Sequence, residues 1–386
     1  MTDWLVVSVL SVIAAVLLGW GVPAWTVSRL LPVLETSDRK VKNYRGSPVP
    51  TGLGVAWAVW GVGVTLVGGL VSIAAWIALR LTAGSPQGTP PWLRALTSSP
   101  RSAALALMPV LLVFGVLVFG MIDDTYGDGA SRGVAGHLRE LARGRLTTGG
   151  LKMLGIGALA VWAAGSASVR TAQFSATAYS GAGQVLTSLA AWVCGALTIA
   201  LAANLVNLTD LRPGRALKSF GVLALVGVCA SGWATWQVLA VEASSGVLGM
   251  SAAARAPWFV ATVLCIIALV FGPASAVAGP DLRERAMLGD AGANAMGALG
   301  GYLIAANLPL VGVAVAAAVL LALNIASERV SFSRVIERSR VLSRLDALGR
   351  IGVDGTMAGA EREERRGAQT PGTDSMHEGK RKEGGS

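Results

Sequence analysis

The amino-acid sequence predicts an all-α, polytopic integral membrane protein of about nine transmembrane helices, with its N-terminus outside and its C-terminus in the cytoplasm. Three observations predict it. Hydrophobic residues make up 53% of the 386-residue chain and charged residues 14%, with a mean hydropathy of +0.60. A soluble domain carries about 25% charged residues. Uncharged apolar runs recur at 4–28, 53–79, 103–122, 153–169, 185–203, 219–241, 257–280, 291–306 and 308–326. Lys and Arg, finally, are shared unevenly among the segments between those runs.

Each run reads as a helix because lipid offers no partner to a backbone N–H or C=O, so a spanning segment must satisfy its own. About 20 apolar residues cross the hydrocarbon core. The first run follows Met-Thr-Asp, which supplies an acid and no Lys or Arg. A cleaved secretion signal begins with basic residues, so this run is expected to stay as a helix. The runs at 153–169 and 291–306 are the shortest, and the second holds Gly297 and Gly301 at the four-residue spacing that lets helices approach closely in lipid.

Orientation follows from the cations. The segments after the first, third, fifth and seventh runs hold 15 Lys and Arg, and the opposite segments hold 5. The positive-inside rule therefore places the first set in the cytoplasm. Most of the formal charge of +10 is this bias. No nucleic-acid partner is expected, because the basic residues hug helix ends instead of forming a basic domain. The chain divides into a transmembrane domain, 1–350, and a tail, 351–386, which is charged, Gly-rich and expected to be disordered.

Cys194, Cys229 and Cys265 fall singly in different runs and read as small buried hydrophobes. With only two histidines, His137 and His377, a histidine-based metal site is not expected.

The acids are more informative. Asp123 and Asp124 end the third run, Asn204, Asn207 and Asp210 end the fifth, and Asp290 starts the eighth. Parity alone puts all six on one side. On the opposite side, Glu242 is the only acid between helices. Adjacent carboxylates repel, and a divalent cation relieves that repulsion. Oxygen donors without Cys or His suit Mg²⁺, which takes one or two carboxylates plus substrate phosphates. Asn204, Asn207 and Asp210 stand three residues apart in turn, so one helical face carries all three. The first inner loop, 37–54, adds Lys42 and Arg45 among Gly and Pro turn residues, candidates for an anionic substrate. The last inner segment, 327–350, spaces Arg334, Arg338 and Arg344 along a surface helix, which suits a lipid-headgroup anchor at least as well as a substrate contact.

Four stretches, RGSPVPTGLG (45–54), GMIDDTYGD (120–128), NLVNLTD (204–210) and MLGDAGANAMGALGG (287–301), together resemble the motifs of the polyprenyl-phosphate N-acetylhexosamine-1-phosphate transferases, the MraY/WecA-type membrane enzymes of glycosyltransferase family 4. The resemblance spans about residues 35–350. It implies transfer of N-acetylhexosamine-1-phosphate from a UDP-sugar to undecaprenyl phosphate, with release of UMP, in cell-envelope glycan synthesis at a bacterial plasma membrane. It implies Mg²⁺ as cofactor, with Asp290 and Asp124 as metal ligands. Asp123, Asp124 and Asp210 become catalytic residues, and Lys42, Arg45, Asn204 and Asn207 become substrate-binding residues. The implied partners are the UDP-sugar, the lipid carrier, the bilayer and a second copy of the chain. The chain departs from the family at Pro213, where a second aspartate is usual, at Gly127, where a Lys is usual, and in a last inner loop without histidine. Competing readings are a transporter that uses these acids and a non-catalytic family member.

Overall fold

The structure, a computed structural model, describes residues 2–38, 40–82, 100–127, 133–175, 181–245 and 250–349. The tail 351–386 and the outer segment 83–99 lie outside these residues, so the expected disorder of the tail is not addressed by them. The chain runs through α1 (Thr2–Val16), a π-helical turn (Leu17–Gly21) and α2 (Val22–Thr36) into a two-stranded hairpin, β1 (Lys40–Lys42) and β2 (Pro48–Pro50). Then follow α3 (Val55–Thr82), α4 (Pro100–Tyr126), α5 (Gly133–Ala142), α6 (Thr148–Ser175), α7 (Ala182–Thr209), α8 (Arg215–Ser245) and α9 (Ala252–Leu282). The last four helices are α10 (Gly289–Asn307), α11 (Leu310–Arg329), α12 (Phe332–Arg338) and α13 (Arg340–Ala347).

The protein is an all-α, multi-pass membrane protein: among the described residues, eight helical segments are long and apolar enough to cross a bilayer. The first is the continuous stretch Trp4–Thr36, and the short run at 153–169 belongs to a full-length span, Thr148–Ser168. Large apolar side chains point outward, as at Leu66, Leu70, Val185 and Leu186, each more than 60% exposed. That is the reverse of a water-soluble surface and matches a lipid belt.

The eighth expected run is α10, which is not among those eight segments. Its sequence, GDAGANAMGALGGYLIAAN, is too small and polar to face lipid, and it does not face lipid. Every residue of the helix except Asp290 and Leu303 is buried. It forms the axis of the bundle and packs against α3, α4, α6, α7 and α8. Gly297 and Gly301 let α10 and α7 approach closely. A Cβ built at Gly297 would lie 2.3 Å from the carbonyl oxygen of Ala202, and one at Gly301 would lie 2.8 Å from Cα of Ile199. Only hydrogen fits where α10 crosses α7.

The inner helix ends meet on one face, as parity requires. Met287, just before α10, donates its N–H to the carbonyl of Pro50 at 2.8 Å and accepts from the N–H groups of Gly52 and Leu53, each at 3.2 Å. The hairpin is thereby tied to the start of the central helix. The segment after α11 is two short helices and not one. Ser339 breaks it, and its Oγ accepts from the N–H of Leu342 at 3.3 Å, starting α13.

A candidate anion-transfer site at the inner helix ends

The site begins with the way α10 starts. Gly289 has φ of 72°, a left-handed conformation natural to glycine. A side chain there would also strike the Asp124 carboxylate, 2.8 Å from the Cβ position. Asp124 occupies that space because it caps α10 from outside. Its two oxygens accept the N–H groups of Asp290 and Ala291, each at 3.0 Å. Helix N-termini leave such groups unsatisfied, and a carboxylate there also meets the positive end of the helix dipole.

Lys152 joins the neighbouring acids. Its Nζ lies 2.5 Å from the Asp123 carboxylate and also donates to the Asp290 carboxylate. A lysine in the first turns of a helix faces the wrong end of the dipole. The two carboxylates, converging from α4 and α10, account for its position. Lys152 is shared by the two carboxylates and offsets their mutual repulsion.

A cleft opens beside this cluster, lined by Asn43 and Tyr44 of the hairpin, Asp210 and Arg212 of the α7–α8 loop, Asp281 of the last turn of α9 and Glu284 of the α9–α10 loop. Burial, followed by the charges of Asp281, Asp290 and Asp124, holds the Asp210 carboxyl well above the usual carboxylate range. Asp281 is buried and accepts the N–H of Gly214 at 2.7 Å, fixing the loop that carries Asp210. Glu284 has φ of 56°, unusual for a residue with a side chain. Three hairpin groups hold it there: Asn43 Nδ2 at 2.7 Å, the Tyr44 hydroxyl at 3.2 Å and Arg45 Nε at 3.4 Å. The guanidiniums of Arg45 and Arg212 stack over Tyr44, at 5.3 and 5.1 Å from the ring centre, and put two cations at the mouth of the cleft.

The sequence-predicted residues divide accordingly. Asp123, Asp124 and Asp290 come together, and Asp210 lies within their electrostatic reach. Arg45 reaches the cleft, while Lys42 is exposed on β1. Asn204 turns elsewhere: its Nδ2 donates to Oδ1 of Asn324 on α11 at 2.6 Å, and Asn324 in turn donates to the carbonyl of Leu201 at 3.1 Å. That pair reads as glue between α7 and α11. Asn207 differs, since its Oδ1 is buried with no hydrogen-bond partner. On the far side, Glu242 is not a surface acid: it is 2% exposed and accepts the N–H of Met250 at 3.1 Å.

Sequence reasoning missed Lys152, Asp281 and Glu284 as members of the site. Lys152 counted only as one more inner-loop cation, and its position in the first turns of an apolar helix was the available signal. No protein-family model matches the chain, and no curated protein matches it.

Among the described residues, no group of three or more His, Cys, Asp and Glu is arranged to hold a metal ion. Mg²⁺ asks for less, one or two carboxylates completed by substrate phosphates and water. Asp123 and Asp290, already converging on one cation, fit that demand, and the unpartnered Asn207 oxygen adds a donor of the right type on the last turn of α7. The oxygens of Asp124 are engaged by α10.

Proposed function

We propose that this protein is a transferase of the MraY/WecA type that moves N-acetylhexosamine-1-phosphate from a UDP-sugar to undecaprenyl phosphate, releasing UMP, in cell-envelope glycan synthesis. The observation that carries the reading is the convergence of Asp123 and Asp290 on one cation, beside a cleft rimmed by Arg45 and Arg212. The ordered motifs that resemble that family support it independently. The site would face the cytoplasm of a bacterial plasma membrane, in keeping with the Lys and Arg bias.

In the proposed reaction an oxygen of the lipid phosphate attacks the β-phosphorus of the donor. The bond from that phosphorus to the bridging oxygen breaks, and UMP departs with the electron pair. Both reactants are anions, so the first task is to bring them together. Arg45 and Arg212 receive the donor diphosphate at the cleft mouth. Lys152, released from its acids, donates hydrogen bonds to phosphate oxygens. Asp123 and Asp290 would hold Mg²⁺, which when bound supplies positive charge to the phosphates. Asp210, with its carboxyl proton retained, is a hydrogen-bond donor where an ionised carboxylate would repel phosphate. Asp124 acts by fixing the start of α10 and hence the position of Asp290. A transporter gains nothing from this placement, since the acids lie at helix ends and not at mid-span, where transport sites sit.

The test is purified protein with Mg²⁺, undecaprenyl phosphate and a panel of UDP-N-acetylhexosamines. UMP and a lipid-linked sugar phosphate are expected from at least one donor. Release of UMP from none would refute the reading.

A further inference from the structure

The segment after α11 is built inside out. On α13 the buried side chains are polar, Ser343 and Asp346, while Val341, Leu342 and Leu345, with Leu348 just after the helix, face outward. Val341 and Leu348 are 67% and 68% exposed. A surface helix in water arranges these the other way round. Four cations share the outward side: Arg334, Arg338, Arg340 and Arg344 are all exposed, and none is paired with a carboxylate among the described residues. The segment's own acids are engaged by cations of the α7–α8 loop and α8. Asp346 accepts Arg215 through both oxygens, at 2.7 and 3.0 Å, and Glu337 is paired with Arg212. Lys218 donates to the backbone carbonyl of Asp346 at 2.7 Å, and Arg215 donates to Ser333 at 2.7 Å.

We infer that α12 and α13 form a strap whose outer face sits in the anionic phospholipid headgroups of the leaflet beside the site, and whose inner face locks the loop carrying Asp210 and Arg212. The chemistry selects the occupant. Alternating apolar groups and unpaired arginines match an interface that is oily below and negatively charged above. The strap follows directly from the end of a membrane-crossing helix, so it starts at headgroup level. The tail 351–386 is nearly free of large apolar side chains and is poorly suited to cover this face. The lock couples the two faces. Arg215 is buried, and it begins α8 one residue after the loop. Loss of the headgroup contact therefore loosens the mouth of the cleft.

The lipid contact does not rest on the transferase reading, and its test needs no activity. Full-length protein is placed in nanodiscs of phosphatidylcholine alone, or of phosphatidylcholine with phosphatidylglycerol. Amide hydrogen exchange is then followed over residues 332–348. Exchange there is expected to be about tenfold slower in the anionic discs. Replacing all four arginines with Gln should remove that gain while exchange in α10 stays unchanged. Three results would overturn the inference: equal exchange in both discs, protection that survives the four substitutions, or protection that vanishes on truncation after Arg350 or on dilution of the protein. The last pair would assign the face to the tail or to a second copy. A separate variant, Asp346→Ala, tests the lock: exchange in 210–214 should rise in anionic discs while the arginine-dependent protection of α13 persists. No change in 210–214 would sever the strap from the site.

Discussion

At the scale of single residues, the neighbours Asp123 and Asp124 have different work. Asp124 satisfies two backbone N–H groups at the start of α10, and Asp290 satisfies none. Asp124→Ala should therefore destabilise the protein by about 0.5–2 kcal/mol, the usual cost of losing a helix-capping side chain, and lower its melting temperature in detergent. Asp290→Asn should leave melting close to wild type. Asp210 supplies a pH signature. Its unfolded carboxyl titrates near the ordinary value of 3.8, and its folded one titrates higher. Between those values the folded protein retains a proton that the unfolded chain releases, so this residue's contribution to stability falls as pH rises. Asp210→Asn should melt like wild type below about pH 4 and increasingly above it toward neutrality. A difference in melting temperature that is the same at every pH would contradict this. The acids themselves were legible from sequence because each ends or begins an apolar run. Lys152 was not, since a charge count cannot tell a loop cation from one drawn inward by two carboxylates. Asn204 and Asn207 share a helical face by spacing, yet Asn324, 120 residues away, claims one of them. Glu242 illustrates the same limit: a lone outer acid looks like surface, and only the fold reveals it buried against Met250.

At the scale of elements, α10 sets the architecture. Helices that face lipid announce themselves by hydropathy, and eight segments do. The central helix faces only other helices, so small side chains replace apolar bulk, and its length and glycine spacing are the remaining signals. Gly297→Ala should impair folding, since the new Cβ meets backbone of α7 at 2.3 Å. Gly157→Ala, on α6 with nothing within 4 Å of its Cβ position, should be tolerated. Comparing the fraction of monodisperse protein after detergent extraction distinguishes them. The hairpin at 40–50 was not legible at all. It consists of two three-residue strands, and the partner that fixes it, Met287, is more than 200 residues distant.

At the scale of the whole molecule, the fold gathers five inner segments onto one face and leaves one acid-rich site there. A reporter fused after Gly355 should read as cytoplasmic and one within 82–100 as external, because 15 inner cations oppose 5 outer ones. The reverse pattern would put the site on the side opposite to the one the proposed reaction needs. The central claim is that Asp290 works on phosphate and not on folding. The most direct measurement compares UMP release by wild type and Asp290→Asn, each with Mg²⁺, undecaprenyl phosphate and the best UDP-N-acetylhexosamine, at matched melting temperature. The account predicts at least a hundredfold loss, about 3 kcal/mol of transition-state stabilisation. A variant that releases UMP at the wild-type rate would contradict it.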